Sequence, residues 1–418
     1  MESTDKTVHN TLNLGSENKW ENISQWVLAI SIFLPIPSDM CCLILVTLLL
    51  LFRGKFHVAV KPLLLMLGVG VISMLTILYL GYPYSKFLQQ FALVTLYILF
   101  GINFFYFNRE NLEEIFRKYC QVSMWVAIGG LIQMAIWELS HKNIFNFIFR
   151  DTGRLTSFLM AEPGRLACVL LPAFVYYLFS SGWKKYLPQK IVLLSAILLT
   201  DSFAVFILLP FVFILRLCYS RQRGIIKWRF GIAVVVIVLS LSSILTYVRQ
   251  GEWSSSSNRT FYMLKNGLEL ISDPSVDIID RQTLSVYAFS KNFWVAVNSP
   301  CRIFGTGLGT HEYNHDAIYF SNNKFYFLNR EDGYSLLNRV FSEFGYVGLL
   351  IVAICFVRWY NPRNPINIAV GFLLISYFIR GGHYVANGTV YFIIIYYLSS
   401  TKFYNRSEGD GGKNNTVS

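Results

Sequence analysis

The sequence predicts an all-α polytopic membrane protein, with about twelve transmembrane or half-spanning helices and one large polar loop between them. Three observations carry that expectation. Of the 418 residues, 54% are hydrophobic and only 14% charged, where a soluble domain of this size would carry roughly a quarter charged residues. A mean hydropathy of +0.46 expresses the same imbalance. The apolar residues fall in regularly spaced runs suited to a hydrocarbon core about 30 Å thick. The connections between runs are short and basic, as cytoplasmic loops are.

Clear spans are 60–81, 86–108, 118–138, 164–182, 229–248, 334–357, 365–380 and 384–401. The run 187–218 is too long for one upright helix at about 1.5 Å per residue. Thr200, Asp201 and Ser202 interrupt it, so it reads as two short helices with a polar tip. The run 26–52 contains Pro35, Pro37, Ser38 and Asp39 and reads as two short helices or one kinked span. The basic connections 53–61, 109–118, 183–190 and 219–229, with Arg358, Arg363 and the tail residues Lys402, Arg406 and Lys413, can share the cytoplasmic side only if 187–218 crosses an even number of times. The hairpin and the charge rule therefore support each other.

The chain divides into an N-terminal cytoplasmic segment 1–25, transmembrane helices in 26–248, a large outward loop 249–333, further transmembrane helices in 334–401, and a cytoplasmic tail 402–418 expected to be disordered. The loop carries Phe261, Tyr262, Leu264, Val286, Tyr287, Phe293 and Trp294, which favours a folded, partly helical unit. A mixed-charge stretch (Asp5, Lys6, Glu17, Lys19, Glu21) precedes the first apolar run, unlike a cleavable signal. The first helices are therefore expected to remain in the mature protein. The net charge of +12 is spread between the runs, with no basic tract to suit nucleic acid. Of seven cysteines only Cys301 falls in the large loop, which leaves that loop no internal disulfide.

Charges near the outward ends of the spans are the candidates for chemistry. Arg154, Glu162 and Arg165 lie at the start of the span 164–182. Two arginines and a carboxylate there suit a lipid diphosphate, because a guanidinium donates two parallel bonds to phosphate oxygens. They equally suit arginines that snorkel to the interface. In the large loop, Arg259 and Arg281 precede Gly305-Thr-Gly307-Leu-Gly309. Those glycines permit tight turns or close approach of backbone to a ligand, and on spacing alone a plain turn. His311-Glu312-Tyr313-Asn314-His315 matches a zinc-binding spacing, but the polar setting and the lack of a third ligand count against zinc, and no metal is expected. Asp332 stands where a helix N-cap would. Arg339 and Glu343 are spaced i,i+4 and should pair inside the bundle. Gly345 and Gly348 suit close helix packing. Arg380-Gly-Gly-His383 closes the next outward turn and is expected to line the same cavity as Arg339 and Glu343.

Taken in order, these features resemble the Wzy polymerase and O-antigen ligase superfamily from about residue 26 to 401. The resemblance rests on Arg154…Glu162-Pro163 opening a helix, then a hairpin, a large outer loop with Arg259 and Arg281, Phe304-Gly305-Thr-Gly307-Leu-Gly309, and Asp332-Gly-Tyr334…Glu343-Phe-Gly345-Tyr-Val-Gly348. It implies a GT-C-like membrane glycosyltransferase of the bacterial inner membrane, a polymerase of O-antigen or capsule-type repeat units. Its donor and acceptor would both be glycans on undecaprenyl diphosphate, with no cofactor and with a chain-length regulator as a possible protein partner. The diphosphate-binding arginines map to Arg154 and Arg281, with Arg165 or Arg259 beside them. Glu162, Asp332 or His311 would take the acceptor proton, in that order of preference for the first two. The related ligases carry a histidine where this chain has Tyr334, which weighs against a ligase and leaves the base unassigned. A lipid-linked glycan flippase or transporter is the alternative of another class, but no internal repeat of the kind such folds show is present.

Overall fold

The computed structural model describes residues 19–140, 155–253, 284–319 and 326–400, less 221–223 and a few single positions within them, and parts of 261–269. The helices are α1 (19–31), α2 (Ser38–Leu51), α3 (Val60–Leu80), α4 (Ser85–Asn108), α5 (Leu112–Ser140), α6 (Pro163–Ser180), α7 (Leu187–Leu199), α8 (Phe203–Cys218), α9 (Lys227–Gln250), α10 (Leu284–Val297), α11 (His311–Ile318), α12 (Leu336–Trp359), α13 (Pro365–Ile379) and α14 (Thr389–Leu398). The strands among the described residues form a two-residue ladder, Tyr219–Ser220 against Gly224–Ile225. Four helical stretches are long and apolar enough to cross a membrane: α3, Ser85–Ser140 (α4 and α5 joined by a 3-10 turn), α6 and α12. They point to a membrane protein. Shorter apolar helices include α2, α7, α8 and α13.

The run 187–218 is divided at Thr200–Ser202, where Asp201 takes a left-handed φ of 49°. The run 26–52 is two helices, but the first begins at residue 19 rather than 26. Its second turn is buried against protein at Ser24 and Gln25: Gln25 Nε2 donates to Asn108 Oδ1 at 3.0 Å, and Lys118 Nζ donates to Gln25 Oε1 at 2.5 Å. The span expected at 384–401 narrows to α14, because Asn387 (φ 54°) and Gly388 (φ 73°) turn the chain left-handed just before it.

The basic connections gather at one end of the bundle. Lys118 meets the start of α1 and the end of α4 through Gln25. Arg216, at the end of α8, donates to the Leu178 carbonyl near the end of α6 at 2.8 Å. Tyr219 Oη reaches the Arg363 carbonyl, and Asn361 bonds the Ser399 carbonyl after α14. The opposite end carries the 200–202 turn beside Leu155, whose N–H donates to the Leu199 carbonyl at 2.9 Å.

Past their first turns, which carry Lys61 and Arg165, α3 and α6 are predominantly apolar, and such helices are buried either in protein or in lipid. α6 lies in the protein core, with every residue from Leu166 to Val175 buried against neighbours that include α5, α7, α8 and α13. α3 buries only Gly70, Ser73 and Ile77, one face at helical spacing. Leu64, Leu65, Val71, Ile72 and Leu75 stand outward, as a lipid-facing helix requires.

α12 is interrupted at Gly345 (φ 64°, ψ −160°). A break in a spanning helix frees carbonyls and N–H groups that lipid cannot satisfy. The segment Arg302–Gly307 supplies the partners. Thr306 N and Gly307 N donate to the carbonyls of Ser342 (3.3 Å) and Glu343 (2.8 Å), while Tyr346 N and Val347 N donate to those of Arg302 (2.9 Å) and Ile303 (3.0 Å). Gly305 and Gly345 interlock here. A Cβ on Gly305 would lie 2.2 Å from the Glu343 carbonyl oxygen, and one on Gly345 2.4 Å from that of Ile303. The alternating glycines thus approach the protein's own backbone, with left-handed φ at Gly305, Gly307 and Gly309.

Candidate functional site

Three segments remote in sequence meet at the end of the bundle opposite the basic connections: the start of α6, the turn 329–335 before α12, and the turn after α13. Gly381 N donates to the Tyr334 carbonyl at 3.0 Å, and Ser335 and Gly381 form a parallel bridge. This backbone tie sets Arg380 over the Tyr334 ring, its guanidinium carbon 4.3 Å from the centroid. Gly164 makes room for the same guanidinium: a Cβ there would sit 2.9 Å from Arg380 Nε.

Glu162 lies between two arginines. One carboxylate oxygen accepts from Arg380 Nη2, and the other lies 2.7 Å from Arg165 Nε. Arg165 also reaches Asp332 Oδ2 at 3.5 Å. Glu162 occupies the N-cap position of α6, yet its side chain makes no capping bond, because the arginines hold it. Glu162 and Arg165 each keep about a third of their side chain exposed, at 33% and 35%, so the cluster is open to a ligand. Burial works against ionisation of Glu162, but Arg380 and Arg165 outweigh it and hold the carboxyl below its ordinary range. Burial also opposes the charge on Asp332; a bond from Asn329 and one from the Tyr334 N–H overcome it and hold Asp332 low.

Asp332 is not the N-cap of α12, as its position suggested. Gly333 and Tyr334 both take φ of 64°, so the chain turns once more before the helix starts. Ser335 is the cap, its hydroxyl accepting from Asn338 N at 3.2 Å. A left-handed tyrosine is strained, and such strain gathers at functional sites.

Behind the open cluster lies a buried one. Arg339 Nε is 3.0 Å from Glu343 Oε1, with the two side chains 2% and 0% exposed. Tyr384 Oη donates to the other Glu343 oxygen at 2.8 Å, and the Arg339 guanidinium stands 4.5 Å from the Tyr384 ring centroid. His383 lies in the field of Arg339, Asp332 and Arg165. Burial, then Arg339, push its imidazole down to about 4.

The zinc spacing at 311–315 falls on α11, where Nε2 of His311 and the Glu312 carboxylate already have protein partners. Asn292 Nδ2 donates to the Ala288 carbonyl, so its Oδ1 accepts from His311 Nε2 at 2.9 Å. Burial, then Arg339, hold His311 down to about 3 and keep it neutral. Glu312 is paired with Lys86 at 3.0 Å and Arg330 at 2.9 Å, and Arg330 also binds Asp316. This network fastens α11 to the start of α4 and to the turn 326–332. Among the described residues no three side chains of metal-binding type converge.

Of the predicted site residues, Glu162, Arg165 and Asp332 come together. His311 packs beside them against Gly333, Gly305 and Gly307 serve the interrupted helix, and Gly309 lies against the Lys86 backbone at the start of α4. Arg154, Arg259 and Arg281 lie outside the described residues. Lys86 and Arg330 were not assigned to the site from sequence, and Arg380 was placed only at an outward turn lining the cavity of Arg339 and Glu343. Arg380 alone had a visible signal, a charge placed directly after a continuous apolar run. No family model matches the chain, and no curated protein matches it in sequence.

Proposed function

We propose that this protein is a bacterial inner-membrane polymerase that joins undecaprenyl-diphosphate-linked oligosaccharide repeats into an O-antigen or capsule-type polysaccharide. The observation that supports the reading best is the meeting of Arg165 and Arg380 over Glu162, whose bonded partner Arg380 is 218 positions away in sequence. A multi-pass protein of about twelve spanning or half-spanning helices, GT-C-like in arrangement, suits a lipid-borne substrate. With the basic connections cytoplasmic, this cluster faces outward, where such repeats are assembled.

The reaction is displacement at the anomeric carbon of the donor glycan by an acceptor hydroxyl, with the lipid diphosphate leaving and the configuration inverting. The leaving group needs its charge stabilised, and guanidiniums held in a low-dielectric site do that well. The acceptor hydroxyl loses its proton to a base, with Glu162 and Asp332 as the nearest carboxylates. A chain-length regulator is the expected protein partner.

The banding pattern of surface glycan from a deletion strain tests this reading. Loss of a polymerase leaves single repeats on the lipid core, and restoring the gene returns the ladder. Bare core would instead mark an O-antigen ligase, and an unchanged ladder would refute both.

A further inference from the structure

Resting on that reading, we propose that Glu162 is a displaceable stand-in for the diphosphate, so that substrate binding frees it from Arg165 and Arg380 and raises its affinity for a proton. The geometry carries this. Glu162 presents one oxygen to each arginine, bridging the two guanidiniums as a pair of phosphate oxygens would, with charge-assisted bonds of the same kind. Among the described residues the carboxylate does nothing else: it caps no helix, and its side-chain ties there are to those two guanidiniums. It is also partly open at 33% exposure.

Charge sets the response of Glu162 to an incoming anion. Around Glu162 stand Arg165 on its own helix, Arg380 from the turn after α13, and Asp332 from the turn before α12. Cys168 lies one turn deeper on α6, Tyr334 stacks on Arg380, and His383 lies near Arg165. Among the described residues these two cations and two carboxylates sum to zero. A diphosphate that takes both guanidiniums leaves two carboxylates beside new negative charge, and like charge disfavours ionisation. Pro163 holds the backbone at Glu162 extended, with φ −97° and ψ 110°, so its carboxylate stays near the site. The group held low by its arginines in the free protein then moves towards the neutral range that a general base requires.

The sign is set by linkage. If Glu162 binds a proton when the anion binds, anion affinity falls as pH rises, by up to about tenfold per pH unit. Titration calorimetry on the full-length protein in detergent, at pH 6 in two buffers of different ionisation enthalpy, measures the protons taken up. Inorganic pyrophosphate and farnesyl diphosphate are the two probes. Uptake approaching about one proton per anion is expected, falling to a small fraction in Glu162→Gln and persisting in Asp332→Asn. The Gln variant should also bind pyrophosphate about tenfold more tightly, because no carboxylate competes. Uptake with farnesyl diphosphate alone assigns the site to a lipid-borne anion and supports the exchange. Uptake with both assigns the exchange to the diphosphate group itself. Binding without proton uptake, uptake unchanged in Glu162→Gln, or no binding of either probe overturns it. The glycan ladder reports separately on the polymerase reading, so failure of the one is distinguishable from failure of the other.

Discussion

Replacing Arg380 with alanine should abolish polymer formation while leaving the protein in the membrane. Arg380 binds Glu162, rests against Gly164 and stacks on Tyr334. It is one of the two guanidiniums that would face a leaving diphosphate. Removing one preorganised donor to developing charge costs about 10²–10³ in rate, enough to erase a ladder of bands. Lysine should not restore activity, because a point-charge ammonium cannot bond an oxygen pair with a planar fork. A milder companion is Gly164→Ala, whose Cβ would press on Arg380 Nε at 2.9 Å and should lower extension partially. The readout is glycan length in a complemented deletion strain, with membrane-fraction protein as the control. A normal ladder from the alanine variant would remove Arg380 from the site.

The second large effect is on stability. Glu343→Ala should destabilise the protein by about 3–5 kcal/mol, because it deletes the carboxylate facing a buried arginine. Arg339 and Glu343 are almost wholly buried, and Tyr384 depends on the same carboxylate. A paired Arg339→Met, Glu343→Leu variant should unfold at a clearly higher temperature than Glu343→Ala, since removing both charges together can be close to neutral. Tyr384→Phe should cost only about 1 kcal/mol, the net value of one hydrogen bond. Thermal unfolding in detergent ranks the three variants. A Glu343→Ala protein as stable as the wild type would show that the pair is not a structural tie.

Local features were legible in the sequence. The i,i+4 spacing of Arg339 and Glu343 was enough to predict their pairing, and Asp201 in an overlong apolar run marked the α7–α8 turn. Both arise from rules acting within a few residues. The features that were not legible depend on partners far along the chain. Residues 19–25 read as the end of a polar cytoplasmic segment until Asn108 and Lys118 come to meet Gln25. Gly345 reads as a packing glycine, since nothing nearby announces that residues 302–307 supply the bonds which let α12 break there. Asp332 has the spacing of a cap, and only the left-handed Gly333 and Tyr334 move the cap to Ser335. Arg380 is one outward charge among several until the turn after α13 lies against the turn before α12.

The side of the membrane on which this cluster lies is the most direct test of the account. Glu331, next to Asp332, is 71% exposed and accepts a reporter without touching Arg165 or Arg380. In a cysteine-free background, Glu331→Cys should react with a membrane-impermeant thiol reagent added to intact cells with a permeabilised outer membrane. Labelling only after the inner membrane is opened would place the arginines on the cytoplasmic side and contradict the proposal.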